Sequence, residues 1–146
     1  MHSLMKVDIV SLLLVVRGAE IKWSSIYHKI LMCKPKIKKM NLFVRILTFG
    51  WAAGITLAPF GIYIKEGYEN QRGIITHEKI HWQQQLEMLI IFFYLWYVIE
   101  WFIRLFINGK KAYSSLSFER EANCYEYNET YLTVRKPYAW LRFMKA

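Results

Sequence analysis

The stretch "HEKIHWQQQ" (residues 77–85) carries the strongest signal in this chain, because two histidines stand four positions apart with a glutamate directly after the first. On an α-helix, residues i and i+4 project from the same face, so His77 and His81 can direct their imidazoles at one metal ion. Glu78 falls beside them, where it can accept a proton from water more easily than it can bind the metal. The stretch therefore predicts a helix that carries a metal site.

The pattern is specific because histidine is scarce. The sequence holds four histidines, so chance gives this five-residue arrangement with a probability below about one in a hundred. We expect zinc as the ion, since zinc lowers the pKa of a bound water towards neutrality and polarises a carbonyl oxygen. In that chemistry Glu78 is the general base.

A catalytic zinc needs a third protein ligand, and the other two histidines are poor candidates. His2 and His28 lie in the N-terminal segment, far from the motif in sequence. A carboxylate on a later helix is therefore expected, and "FEREAN" (residues 118–123) offers Glu119 and Glu121. These glutamates are two positions apart and face different sides of a helix, so only one of them is expected to bind.

"HEKIH" followed by "FEREAN" resembles the gluzincin metallopeptidases, in which a helix with HExxH precedes a second helix with Glu-x-x-Ala-Asp. Two branches look most similar: the membrane-associated prenyl-protein and heat-shock peptidases, and the sensor-type membrane peptidases that cleave repressors. "HWQQQ" also resembles small gluzincin domains with HExxHxxQQ. The resemblance implies a zinc metalloendopeptidase acting on a peptide or protein substrate, with His77, His81 and Glu119 as metal ligands and Glu78 as the catalytic residue.

The same resemblance marks one departure from the family pattern. It places Ala122 at a small residue that lets the two helices pack, and Asn123 where the family has an aspartate that orients a histidine ligand. Asn123 can accept a hydrogen bond but adds no negative charge, so we expect weaker zinc binding or slower catalysis. The residue that stabilises the oxyanion stays open among four nearby tyrosines: Tyr113, Tyr125, Tyr127 and Tyr131.

Glycine and proline are absent from Ile74 to Asn108, which predicts one long helix or two helices in line. The second part of this segment is apolar all round. "GIYIKEG" (residues 61–67) predicts an exposed edge strand that holds the substrate main chain, and residues 118–134 predict a further helix. The predicted fold class is mainly α with a small β hairpin or edge strand, a minimal gluzincin-like zinc peptidase core with a long apolar helix.

Domain organisation follows from where these motifs lie. We expect residues 1–39 to form an N-terminal extension and residues 40–146 to form the metallopeptidase-like domain, with Met40 as an alternative start. The apolar run at 7–16 resembles the middle of a signal peptide, but an ordinary strand or short helix is favoured because Arg17 follows at once.

Composition points to a membrane surface. The hydrophobic share is 55%, the net charge is +9, and the basic residues flank apolar runs, as "KPKIKKM" (residues 34–40) does. This pattern is typical of segments beside a membrane, so we expect lipid as a partner rather than nucleic acid. The chain is expected to be membrane-associated, integral or monotopic. A helix buried in an oligomer interface is the alternative explanation of the apolar segment.

Two functions are therefore weighed. The first is a membrane-associated zinc metallopeptidase that uses Glu78 as its base. The alternative is a membrane-embedded structural or partner-binding protein with a vestigial zinc site and no protease activity. Zinc content and the effect of replacing Glu78 separate the two.

Overall fold

The computed structural model describes residues 34–71 and 73–145, which form a mainly helical body with a small sheet, so the predicted fold class is confirmed. The predictions for residues 7–16, His2 and His28 lie outside the described residues. The strands are β1 (Ile37–Lys39), β2 (Gly54–Leu57) and β3 (Gly61–Ile64). The helices are α1 (Leu42–Leu47), α2 (Ile74–Glu87), α3 (Ile91–Asn108), α4 (Ser117–Tyr125) and α5 (Tyr131–Val134), with 3-10 turns at Gly109–Lys111, Tyr113–Ser115 and Ala139–Phe143.

The sheet places β3 in the centre, with the strand order β1-β3-β2. The prediction that "GIYIKEG" is an edge strand is therefore wrong. β1 pairs parallel with β3, Ile37 opposite Ile62, and β2 pairs antiparallel on the other side. β1 thus lies just before Met40, within the segment expected to be an N-terminal extension, and β2 is the edge that faces α2.

α2 ends at a left-handed turn, which the sequence does not predict because no glycine is present there. The Ile90 N–H donates to the Gln85 carbonyl at 2.7 Å and the Leu89 N–H donates to the Leu86 carbonyl at 3.2 Å. These are the two bonds of a Schellman motif, in which glycine usually takes the left-handed position. Here Leu89 takes it with a φ of 52°, followed by Ile90 at 61°.

The turn folds α3 back towards α2, so the prediction of one long helix or two in line is wrong. In one continuous helix His81 and Tyr97 would lie ~24 Å apart along the axis. Instead, the Tyr97 hydroxyl donates to Glu119 Oε1 at 3.1 Å, and the same oxygen lies 3.4 Å from His81 Nε2. Phe93 packs against Phe118 of α4, which fixes the hairpin.

The predicted helix over 118–134 is two helices, because a turn at residues 126–130 separates α4 from α5. α4 packs on α2 through Ala122, which is fully buried against Ile80 and Tyr131. Ala122 therefore lies at the helix contact where the family resemblance placed a small residue.

A buried ion-pair network joins α2, α4 and the segment after α5. Arg135 Nε donates to Glu121 Oε1 at 2.6 Å, and its Nη1 donates to Glu87. Glu121 also accepts from the Tyr131 hydroxyl at 2.9 Å, and Glu87 accepts from the Tyr138 N–H at 2.9 Å. Each carboxylate has several partners, as buried charges require.

We predict that Arg135→Met lowers the free energy of unfolding by about 3–5 kcal/mol, because it leaves two buried carboxylates without their cation. Arg142→Met is the matched control, since Arg142 is exposed, and its effect should stay within about 0.5 kcal/mol. Urea unfolding followed by circular dichroism measures both. Equal stability of the two variants would contradict a stabilising network.

Candidate metal centre

α2 and α4 bring three metal-binding side chains to one point. His77 Nε2 and His81 Nε2 face each other at 3.1 Å. Glu119 Oε2 lies 3.6 Å from His77 Nε2, and Glu119 Oε1 lies 3.4 Å from His81 Nε2. All three ligand atoms lie within 4.8 Å of one another, so the group could hold a metal ion.

The orientation of α4 about its axis decides which of the two glutamates of "FEREAN" lies beside the histidines. Glu119 faces the histidines, whereas Glu121 is fully buried on another side of the helix within the Arg135 network. Only one of the two glutamates therefore faces the histidines, and Glu121 is not a solvated charge on the helix surface. Its role is structural, since it binds Arg135 and Tyr131.

Each histidine has a second partner at its other ring nitrogen. His77 Nδ1 lies 3.1 Å from Glu126 Oε2, and His81 Nδ1 lies 2.7 Å from Gln84 Oε1. The Gln84 amide in turn donates to Glu121 Oε2 at 3.0 Å, which connects His81 to the Arg135 network. These contacts leave both Nε2 atoms pointing at Glu119.

Asn123 does not occupy the position that the resemblance implied. It is exposed, and it makes no hydrogen bond to either histidine within the described residues. The carboxylate beside His77 comes instead from Glu126, seven positions after Glu119 and therefore two helical turns further along the same face.

Glu78 lies between this group and the edge strand. Its Oε2 accepts from the Thr56 hydroxyl at 2.8 Å, and the same hydroxyl lies 2.8 Å from the Glu78 carbonyl oxygen. A Cβ added at Gly54 would lie 2.8 Å from Glu78 Oε1, so a side chain at position 54 would have to displace the Glu78 carboxylate. Burial raises the pKa of Glu78 above its ordinary value, although both imidazoles act against it.

A cavity of about 290 Å³ opens beside the three ligand groups. One wall is β2 and the other is the start of α3, and its lining includes apolar side chains: Ala52, Ile55, Leu57, Phe93 and Tyr94. The cavity therefore borders Glu78 and the group of His77, His81 and Glu119.

Tyr113 is the member of the four candidate tyrosines that lines this cavity. Tyr125 and Tyr131 stack on each other at 3.7 Å away from it, and Tyr127 lies beside Gly73. Burial and the Glu119 charge raise the pKa of Tyr113 above its ordinary value, so its hydroxyl keeps its proton and can donate.

The edge of β2 is partly occupied. The Lys65 N–H donates to the Ala53 carbonyl across the β2–β3 pair. Because main-chain groups alternate in direction along an antiparallel strand, those of Gly54 and Thr56 point away from β3. Gln85 bridges this side, accepting from the Ala58 N–H and donating to the Thr56 carbonyl, both at 2.8 Å. The main chain of Gly54 and the Thr56 N–H have no partner among the described residues.

Sequence reasoning missed Glu126, Gln84 and Tyr97, although helical spacing could have indicated the first two. Gln84 and Glu126 follow His81 and Glu119 by three and seven positions, whereas Tyr97 reaches the site only through the turn at Leu89. The resemblance to gluzincins stays a prediction. No family model, curated protein or solved structure matches this chain.

The pKa of His81 allows a test on the metal-free protein. Burial alone would lower this pKa, but the charge and hydrogen bond of Glu119, together with the Glu78 charge and the Gln84 hydrogen bond, more than offset the burial and raise it from 6.5 to about 9. A pKa that is raised on folding adds stability that is complete below pH 6.5 and disappears as the pH rises through 9. Glu119, whose pKa is lowered, adds stability only above its ordinary value of 4.5.

We therefore predict that the metal-free protein loses on the order of 3 kcal/mol of unfolding free energy between pH 6.5 and 9. Urea unfolding in a chelating buffer at several pH values measures this. His81→Gln is the control, and its stability should change less over the same interval. Parallel curves for the two proteins would show that the His81–Glu119 pair does not carry the effect.

Proposed function

We propose that this protein is a zinc-dependent metallopeptidase that works at a membrane surface. The observation that carries the proposal is the convergence of His77, His81 and Glu119 beside the buried Glu78 and an incompletely paired strand edge. A vestigial site would not need Glu78 to be held by Thr56 and by a close approach of Gly54.

The donor set fits zinc. Four donors at the usual zinc distances of about 2.0–2.1 Å form a tetrahedron whose edges are roughly 3.3 Å long. The two imidazole nitrogens lie 3.1 Å apart, close to this edge length. Glu119 presents a different oxygen to each of them, Oε2 at 3.6 Å from His77 Nε2 and Oε1 at 3.4 Å from His81 Nε2. Three protein ligands beside an open cavity are typical of a catalytic rather than a structural zinc site.

In the proposed peptide hydrolysis, Glu78 and Tyr113 have separate roles. A zinc ion held by His77, His81 and Glu119 would supply a Lewis acid that acidifies water and polarises a peptide carbonyl. Glu78 accepts the proton of the attacking water at its carboxylate, and its raised pKa brings it closer to the pH at which a general base works best. Tyr113 donates its hydroxyl proton in a hydrogen bond to the developing oxyanion.

The substrate is an extended peptide that adds to the edge of β2. The Gly54 N–H and carbonyl and the Thr56 N–H are available to it, and they lie beside Glu78. Main-chain bonds to a strand edge give affinity without selecting a sequence. Selectivity then comes from the apolar cavity, which accepts a side chain of the substrate.

Membrane association rests on α3. With the following turn it forms a helix (Ile91–Lys111) that is long and apolar enough, by length and composition, to cross a membrane. The side of α3 that faces the protein body carries four residues: Phe93, Tyr97, Glu100 and Arg104. One stripe on the other side is exposed: Phe92, Leu95, Ile99, Phe102, Ile103 and Phe106.

The elements packed along α3 favour a helix that lies in the membrane surface over one that crosses the bilayer. α4 has nine residues, or ~14 Å, which is less than half of the ~30 Å hydrocarbon core. Crossing would also place the 3-10 turns at Gly109–Lys111 and Ala139–Phe143 close to lipid, where irregular backbone is not tolerated. Lys110 and Lys111, in the 3-10 turn that follows α3, suit anionic headgroups.

We predict that Glu78→Gln lowers hydrolysis by about 10²–10⁴-fold, since the amide cannot accept the proton, while one zinc per chain stays bound. Mass spectrometry of a digest of mixed peptides and metal analysis give the two readings. Glu129→Gln, at an exposed glutamate, should leave both unchanged. Wild-type protein that binds zinc but cleaves no peptide would favour the vestigial site instead.

Binding to a membrane surface can be tested separately from hydrolysis. Wild-type protein should float with vesicles that contain anionic lipid and should be released by alkaline carbonate, as a surface-bound protein is. Phe102→Asp with Phe106→Asp should abolish flotation, because charge replaces the apolar stripe. Val134→Asp, at an exposed apolar residue outside the stripe, is the control. A stable dimer that does not float would assign the stripe to a second copy of the chain.

A further inference from the structure

We propose that Glu126 is a positioning residue of the metal centre, and that it supplies through His77 the negative charge that Asn123 lacks. This inference rests on the proposed zinc site. Glu126 Oε2 lies 3.1 Å from His77 Nδ1, on the side of the ring opposite to Glu119. A carboxylate at this place holds the proton on Nδ1 and leaves the Nε2 lone pair directed at the ion.

The packing of α2 on α4 builds this contact. The first main-chain bond of α2 runs from the His77 N–H to the Gly73 carbonyl at 2.8 Å. A Cβ added at Gly73 would lie 3.0 Å from a ring carbon of Tyr127 and 3.4 Å from Glu126 Cγ. Because Gly73 has a φ of +92° and no side chain, the first turn of α2 can lie directly against the end of α4.

The side chain of Glu126 is itself largely protected from solvent, with 23% exposed. Its charge therefore acts on the imidazole with less screening than that of a surface carboxylate. The two histidines are oriented differently as a result: His77 by a carboxylate, and His81 by the neutral amide of Gln84. Removing the charge at Glu126 should reduce the basicity of only one ligand.

Zinc affinity, measured by competition with a chromophoric chelator, tests the role of Glu126. Glu126→Gln keeps an acceptor oxygen without the charge and should weaken zinc binding by about tenfold, whereas Glu126→Leu removes both and should approach a hundredfold loss. Thermal unfolding of the metal-free variants should match that of wild type, because a merely structural role would appear there instead.

Position 123 gives the matched comparison. Asn123→Asp places a carboxylate where the gluzincin pattern has one, but this exposed side chain does not bond to His77, so zinc affinity should stay within about twofold of wild type. Wild-type affinity in Glu126→Gln and Glu126→Leu, or tighter binding in Asn123→Asp, would overturn the assignment to Glu126. Absence of zinc binding in the wild type would overturn the metal centre as a whole.

Discussion

The buried pairing of Arg135 with Glu87 and Glu121 is the constraint on which the rest of the structure depends. Glu87 is the last residue of α2, Glu121 lies in α4, and Arg135 follows α5. The Arg135 guanidinium binds both carboxylates and therefore holds these three parts of the chain together. Gln84 extends the network from Glu121 to His81. The face of α2 that carries His77 and His81 is therefore oriented by the buried charges of this network, so the two imidazoles and Glu119 are brought together without an ion.

The parts of the site that follow from local spacing could be predicted from the sequence. His77, Glu78 and His81 belong to one helix, and the resemblance selected Glu119, which the structure places opposite them. The strand order could not be predicted, because β1 comes from a lysine-rich segment that gives no apolar alternation. The turn after α2 also escaped prediction, since tertiary packing of Ile90 on Trp82 and Leu86 overrides the preference for glycine there.

The two sides of α3 differ in chemistry, since one packs against the protein body and the other is exposed and apolar. The inward side buries Glu100 and Arg104, and Glu100 accepts from the main chain and hydroxyl of Ser117 at 2.9 and 2.6 Å. These bonds hold the start of α4 against α3, and Phe93 and Tyr97 of the same side reach the metal-binding region. The outward stripe is exposed within the part of the chain that the structure describes, and an exposed apolar patch of this kind is typical of a surface that contacts lipid or another protein.

The charge around the two imidazoles explains why the site suits a dication. Glu78, Glu119 and Glu126 surround His77 and His81, and the Glu119 carboxylate raises the pKa of His81 to about 9 in the metal-free protein. The proton on His81 thus compensates charge that a metal ion would otherwise neutralise. A bound dication would exchange this proton for a larger charge at the same place, so the carboxylates would favour the ion while the Arg135 network keeps the donors in position.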